Sequence, residues 1–196
     1  MEVQRKMKNN NTFKEYIAPV VVLVGICLVI TFALAFVNSI TATIIEENAK
    51  ATADAARAEL LPAADGFTEY DGDLAVLEEN KLYVADCYIA DNGAGMVITV
   101  KTKSFGGILT EMVGIDADGA ITGVKVTEHG DTPGLGTKAH DPSHLEQYKG
   151  LTELTDKSAK ADPSVNHVSG ATISSNGVHA GVYAALEQYK MVGGAE

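Results

Sequence analysis

The 196-residue chain has no Trp, two Cys and five Pro, and its 15 Lys plus Arg stand against 26 Asp plus Glu, a net charge of −11. Cys27 falls inside an apolar run and Cys87 far beyond it. No intrachain disulfide joins residues so placed, and neither a zinc nor an iron–sulfur ligand spacing is present. The five histidines, His129, His140, His144, His167 and His179, are scattered without metal-ligand spacing, so no metal is expected. The shortage of positive charge excludes nucleic acid as a partner, because an acidic body releases no counterions from a phosphate backbone and is repelled by it. A hydrophobic fraction of 46% with a mean hydropathy of +0.06 excludes both a disordered chain and a polytopic membrane protein.

The average conceals two unlike parts. Tyr16 to Ile45 contains no Asp, Glu, Lys, Arg or His, and Ile17 to Val37 is almost wholly aliphatic or aromatic. At about 1.5 Å per residue that stretch reaches roughly 30 Å, the thickness of a bilayer hydrocarbon core. We therefore expect a cytoplasmic N-terminus over 1–15, a transmembrane helix over 16–42, a helical stalk over 43–62 and a folded domain over 63–196. Arg5, Lys6, Lys8 and Lys14 precede the span and Glu46 and Glu47 follow it, which by the positive-inside rule keeps the N-terminus in the cytoplasm. Ala33-Leu34-Ala35 resembles a signal-peptidase site, but the apolar run is longer than a signal core of about 7–15 residues. Beyond residue 37, 11 Lys plus Arg face 24 Asp plus Glu, a net −13.

The stalk is rich in Ala and Glu and ends at Pro62. Strands are expected over 81–90, 95–103, 108–115 and 120–128, with Met96, Ile98 and Val100 alternating against Val97, Thr99 and Lys101. Asp116-Ala117-Asp118-Gly119 reads as a hairpin turn, since an EF-hand continued from it lacks later oxygen ligands and the Glu at position twelve. A short helix is expected over 143–149. Over 176–190, Val178, Val182, Leu186 and Tyr189 recur at helical spacing and predict an amphipathic helix on the sheet. The fold class is α+β, with a mainly antiparallel sheet and flanking helices.

Two segments carry more Gly, Ser and Thr than a plain loop needs: Asp131 to Gly136 and Ser169 to Gly177. The second precedes the C-terminal helix, where unpaired backbone N–H groups and the helix dipole favour an anion. Gly170 and Ala171 leave room for a ligand beside the backbone, and Ser169, Thr172, Ser174 and Ser175 offer hydroxyls that bond to a phosphate or are esterified by one. The competing reading is a Ser-rich cap, with Ser174 or Ser175 accepting from the first turn, and periodicity and caps alone favour it. Cys87, at an alternating strand position, reads as a small core residue, and Cys27 as a lipid-facing or helix-packing one. His129 and Lys138 flank the Gly/Pro loop as solvated residues. No nucleophile–His–carboxylate grouping is assembled, so no catalytic residue is assigned.

Ser169-Gly170-Ala171-Thr172-Ile173-Ser174-Ser175 and Thr132-Pro133-Gly134-Leu135-Gly136, preceded by Lys103-Ser104-Phe105-Gly106-Gly107 and Met112-Val113-Gly114-Ile115-Asp116, resemble the FMN-binding domain shared by two proteins. These are the G subunit of the Rnf ion-translocating ferredoxin:NAD⁺ oxidoreductase and the C subunit of the sodium-pumping NADH:quinone oxidoreductase. The resemblance follows the whole chain in order. It implies a single-pass protein of a bacterial or archaeal cell membrane with an extracytoplasmic FMN domain, relaying electrons inside a complex of membrane subunits. It also implies that a flavin transferase esterifies FMN through its phosphate to Thr172. Ser169, Gly170, Ala171, Ser174 and Ser175 would surround the phosphate, with Thr132, Pro133, Gly134, Leu135 and Gly136 against the flavin. In one respect the chain departs from the pattern: the transferase signature has Asp three residues before Ser169, where this chain has Asn166. A compact outer part favours the G subunit over the C subunit. A membrane-tethered binding module without flavin and a stand-alone tethered flavoprotein are the other readings.

Overall fold

A computed structural model describes residues 16–193, and the segment expected in the cytoplasm, 1–15, lies outside them. One helix, α1 (Ala18–Leu60), carries the apolar run. Its Ala18–Ala42 stretch has a mean hydropathy of 3.1 and is long and apolar enough to cross a membrane. The chain divides into two compact units, Met1–Thr52 and Ala53–Glu196, with the division inside α1.

The second unit is built on a six-stranded antiparallel sheet: β1 (Phe67–Glu69), β2 (Val76–Glu78), β3 (Leu82–Ala90), β4 (Gly95–Ser104), β5 (Gly107–Asp116) and β6 (Ile121–Glu128). The order is β1-β3-β4-β5-β6, and β2 pairs with the same edge of β3 as β1 does. The four long strands fall within a residue or two of the spans expected from alternation. Three residues apiece, β1 and β2 are too short to show a period and were not anticipated. At the β5–β6 turn the Asp116 carboxylate accepts from the N–H groups of Asp118 and Ala120, at 3.0 and 2.9 Å. Asp-Gly chemistry thus closes a hairpin.

Alternation places two cores on the two faces of the sheet. Met96, Ile98 and Val100 of β4 join Leu109, Val113 and Ile115 of β5 in the larger core. Helix α3 (Thr172–Val192) covers it with Val178, Val182 and Leu186. Between β6 and α3 run a 3-10 turn (Gly136–His140), the short helix α2 (Pro142–Leu145) and a second 3-10 turn (Glu146–Tyr148), which together account for the helix expected over 143–149. On the opposite face Val97 and Met112 meet Ala56, Leu60 and Leu61. The end of α1, expected to be stalk, therefore supplies a small core of its own. Burying each Val, Leu or Ile stabilises by about 1.5–3 kcal/mol as an upper bound.

The helix end sits so close to the sheet because Gly114 and Gly123 lie opposite each other beneath it. A Cβ on Gly114 would stand 2.8 Å from the Leu60 carbonyl oxygen, and one on Gly123 would stand 3.0 Å from the Leu60 side chain. The Thr122 hydroxyl donates to that carbonyl, satisfying an acceptor that the helix terminus leaves open.

One core residue breaks the apolar pattern. Glu111 of β5 is fully buried, and neither carboxyl oxygen has a hydrogen-bond partner. It lies against the backbone of α3 at Gly181, where any added Cβ would overlap its carboxyl group. Burial pushes its pKa well above the ordinary value, so the folded protein holds this proton more tightly than the unfolded chain does. The ionisation cost of Glu111 is therefore absent below the unfolded pKa of about 4.3, and stability falls as pH rises from there towards the raised folded value. Replacing it with the similarly sized Met should stabilise the full-length protein in detergent by about 1–3 kcal/mol at neutral pH. The gain should shrink towards pH 4, read as the Tm difference between wild type and Glu111→Met across pH. A Tm difference that grows on acidification contradicts this account.

Candidate functional site

Helix α3 begins at Thr172, four residues before the position expected from its apolar period. The period starts only where the helix meets the sheet, and the first turn projects beyond it. Ala171 occupies the N-cap with φ −122° and ψ 37°, and no side chain caps the helix. The cap reading of Ser174 and Ser175 is thereby corrected. Ser175 Oγ accepts from the Val168 N–H at 2.9 Å and so pins the preceding loop, while its own N–H makes the first intrahelical bond, to the Ala171 carbonyl, at 2.9 Å. Ser174 is buried. The first-turn N–H groups are left facing outward with the positive end of the dipole behind them.

Around this end lies a cavity of ≈ 230 Å³. Gly170, Ala171, Thr172, Ile173 and Ser174 line it from the helix side, Thr132, Leu135 and Gly136 from the Gly/Pro loop, and Phe105 from the tip of the β4–β5 hairpin. Thr172 is half-buried, while Phe105, Ile173 and Leu135 are 67, 57 and 47% exposed. Three large exposed apolar side chains thus converge on one threonine, a cluster rather than scattered exposure. The volume is below the roughly 300–1,000 Å³ of pockets that enclose a ligand, so a larger group projects from it. Ser169, Pro133, Gly134 and Ser175 of the expected set do not line the cavity. Ser169 and Pro133 are exposed nearby, and Gly134 turns the loop with φ +76°.

The Gly/Pro loop is a tight coil in which the N–H groups of Leu135 and Gly136 donate to the Thr132 carbonyl at 3.2 and 3.0 Å. Beneath it is Asp131, 4% exposed. Its carboxylate accepts from the Ser104 hydroxyl at 2.5 Å and the Gly106 N–H at 2.6 Å, both on the β4–β5 hairpin. Burial alone would raise its pKa, but the bonds from Ser104, Gly106 and Ser174, with His140 beside it, outweigh burial and hold it below the usual carboxylate value. Asp131 thus joins the hairpin tip, the loop and the first turn of α3, the three segments that line the cavity. The sequence alone gives Asp131 no role beyond heading the loop. Its only signal is an acidic residue beside a Gly/Pro turn.

His140 Nε2 stands 2.9 Å from Asp131 Oδ2, out of line for a hydrogen bond, and its ring lies 4.6 Å from that of His129. Burial and then His129 push its pKa down, and Asp131 opposes them. The His140 imidazole is therefore a buried group beside Asp131, a placement that the spacing of the histidines does not reveal. Cys87 is fully buried, and burial pushes its thiol up to about 12, which makes it an inert core residue; Cys27 lies in the apolar stretch of α1. Among the described residues no group of three His, Cys, Asp or Glu side chains is arranged to hold a metal.

The cavity thus presents a half-buried threonine at an uncapped helix N-terminus with apolar side chains around it. The family model described as an FMN-binding domain matches residues 105–187, from the hairpin tip through most of α3. The G subunit of the Na(+)-translocating ferredoxin:NAD(+) oxidoreductase complex of Acetobacterium woodii is 31% identical, over 86% of this chain and 89% of its own length. The G subunit of the proton-translocating complex of Clostridium ljungdahlii is 33% identical over 53% of this chain and 59% of its own. The C subunit of the Na(+)-translocating NADH-quinone reductase of Pasteurella multocida is 28% identical over 74% and 64%. The chain belongs to the family of G subunits of ion-translocating ferredoxin:NAD(+) oxidoreductase complexes. The Pasteurella multocida match is lower in both identity and coverage than the Acetobacterium woodii one.

The crowding under the loop gives a direct test. A Cβ on Gly136 would stand 2.9 Å from both Asp131 Cβ and Ser174 Oγ. Gly136→Ala should therefore cost about 1–3 kcal/mol and loosen the loop, seen as a lower Tm and faster amide exchange at Leu135 and Gly136. An unchanged Tm would show that the three segments are not closely joined there.

Proposed function

We propose that this protein is an electron-carrying member of an Rnf-type membrane complex, and that it carries FMN as a phosphoester of Thr172. The observation on which the reading chiefly rests is Thr172 itself: the first residue of an uncapped 21-residue helix, opening on a cavity walled by Phe105, Leu135 and Ile173. The residues suit the group. First-turn N–H groups and the helix dipole favour a phosphate, and the exposed apolar side chains favour one face of an isoalloxazine ring. When bound, FMN supplies one- and two-electron exchange. The chain's part is to fix the phosphate, hold the ring at the surface where redox partners reach it, and keep the site rigid through Asp131. No acid, base or nucleophile is needed for that, and no activity is expected of this chain alone.

Maturation is assigned to a flavin transferase that recognises the segment before Thr172. Asn166, where that signature has Asp, is exposed, and its backbone is fixed by both ends of the Gln147 amide, at 2.7 and 3.2 Å. A recognition element there is presented from a defined position. With residues 16–42 as the anchor and residues 1–15 cytoplasmic, the domain lies outside the cytoplasm, and ion movement belongs to the other members of the complex.

The test is flavin fluorescence in a denaturing gel, on full-length protein co-expressed with a flavin transferase. The native chain should fluoresce after denaturation, Thr172→Ser should retain the signal, and Thr172→Ala should lose all of it. Asn166→Asp should raise the labelled fraction. A dark native band, with the transferase active on a control acceptor, overturns the assignment and leaves a tethered module without flavin.

A further inference from the structure

A second cavity, of ≈ 380 Å³, lies over β6 and has His140 among its lining residues. Glu59, Glu146 and Lys149 on its rim are exposed, so it opens to solvent. The imidazole is 6% exposed, both ring nitrogens are buried without hydrogen-bond partners, and Nε2 is 2.9 Å from the Asp131 carboxylate. Asp131 in turn lies directly beneath the floor of the first cavity, where Gly136 and Ser174 meet. A buried base without hydrogen-bond partners thus lies between the second cavity and an anion under the ligand site.

We propose that Asp131 and His140 form a charge-compensating pair for the flavin pocket, His140 taking up a proton from the second cavity when an electron arrives at the site and returning it when the electron leaves. This rests on FMN being held at Thr172. The electron comes from a one-electron donor, which is oxidised, and ends on the flavin. The proton comes from solvent water and ends on a ring nitrogen of His140. Transfer of the electron to an acceptor reverses both movements, so electrons and protons balance over the cycle.

Asp131 cannot be the titrating member, because two donors from the hairpin hold it ionised. His140 is poised to titrate. Burial and His129 favour its neutral form, and a proton placed on it breaks no existing hydrogen bond while setting a positive charge 2.9 Å from the Asp131 carboxylate. The other charges facing it across the second cavity are Glu59 and Lys125, paired with each other, and Glu146 and Lys149, of opposite sign. Their sum leaves Asp131 and His129 as the unbalanced neighbours. Negative charge added above Asp131 raises the affinity of His140 for its proton. Uptake is confined to the pH window between its values in the oxidised and reduced protein, and the former lies below about 6.5.

The experiment is a spectroscopic dithionite titration of flavin-loaded, full-length protein in detergent, at pH values from about 5 to 8, for wild type, His140→Gln and Asp131→Asn. The wild-type midpoint potential should rise on acidification more steeply than that of His140→Gln, whose remaining slope belongs to the flavin. Asp131→Asn should raise the potential at the alkaline end, where His140 is neutral. A histidine-selective NMR titration of the wild type reads the same coupling without any variant: the His140 pKa should rise on reduction. Parallel potential-against-pH lines for wild type and His140→Gln, or a His140 pKa unmoved by reduction, overturn the proposal. Wild-type protein that is dark after denaturation overturns the FMN assignment and this proposal with it. Flavin-loaded protein with parallel lines overturns this proposal alone.

Discussion

One buried carboxylate holds the site together. Each of the three segments around Thr172 has a separate reason to exist elsewhere: the hairpin tip as a turn between β4 and β5, the Gly/Pro loop as an exit from β6, the first turn of α3 as the end of a helix packed on the sheet. Nothing in those roles brings them together. Asp131 does, because a carboxylate accepts several bonds at once and an ionised one makes them strong. Ser104 and the Gly106 N–H from the hairpin and Ser174 from the helix converge on it. Its desolvation is the cost, and the low pKa shows that the donors more than offset it.

The sheet and helix behind this cluster explain why the cavity is shallow and apolar. Helix α3 is fixed by Val178, Val182 and Leu186, all well below Thr172, so its first turn stands proud of the sheet. Core formation thus determines how far Thr172 projects. The second, smaller core at Leu60 and Met112 lies on the opposite face and ties the end of α1 to the sheet through the Gly114–Gly123 seat. Helix α3 and the end of α1 are attached to opposite faces of the same strands, so neither competes with the other for buried area.

Much of this was legible in the residues. Alternation over Met96 to Lys101 marked β4, and the charge-free run marked the candidate span, because both signals are periodic or compositional and need no tertiary partner. Ser169 to Ser175 stands out by its small residues and hydroxyls, but these alone favour a helix cap, and only the family resemblance makes the segment a candidate cofactor site. The start of α3 lies four residues ahead of its apolar period because that period reports contact with the sheet and is silent about a turn that extends past it. Asp131 and His140 were illegible for a different reason. Their meaning lies in partners 27 and 9 residues away, Ser104 and Asp131 respectively, and no local pattern encodes such a pair.

A negative domain is a poor host for a negative cofactor, and that tension accounts for the form of the site. Beyond residue 37 the chain carries a net −13, and the nearest buried charge under the cavity is itself an anion. The helix N-terminus offers a partial positive charge of only about half a unit, and a ≈ 230 Å³ hollow covers little of a ring. Reversible affinity for a phosphorylated flavin from these parts alone is weak, and a carrier that lost its cofactor would interrupt electron flow. The proposed ester to Thr172 removes the requirement for affinity, since a tethered group stays at an effective concentration in the millimolar range. The weak site then has only to orient the ring, which three exposed apolar side chains suffice to do. Leaving the ring largely uncovered also keeps it within reach of redox partners, so the same shallowness that forbids tight reversible binding serves electron exchange once the bond is made.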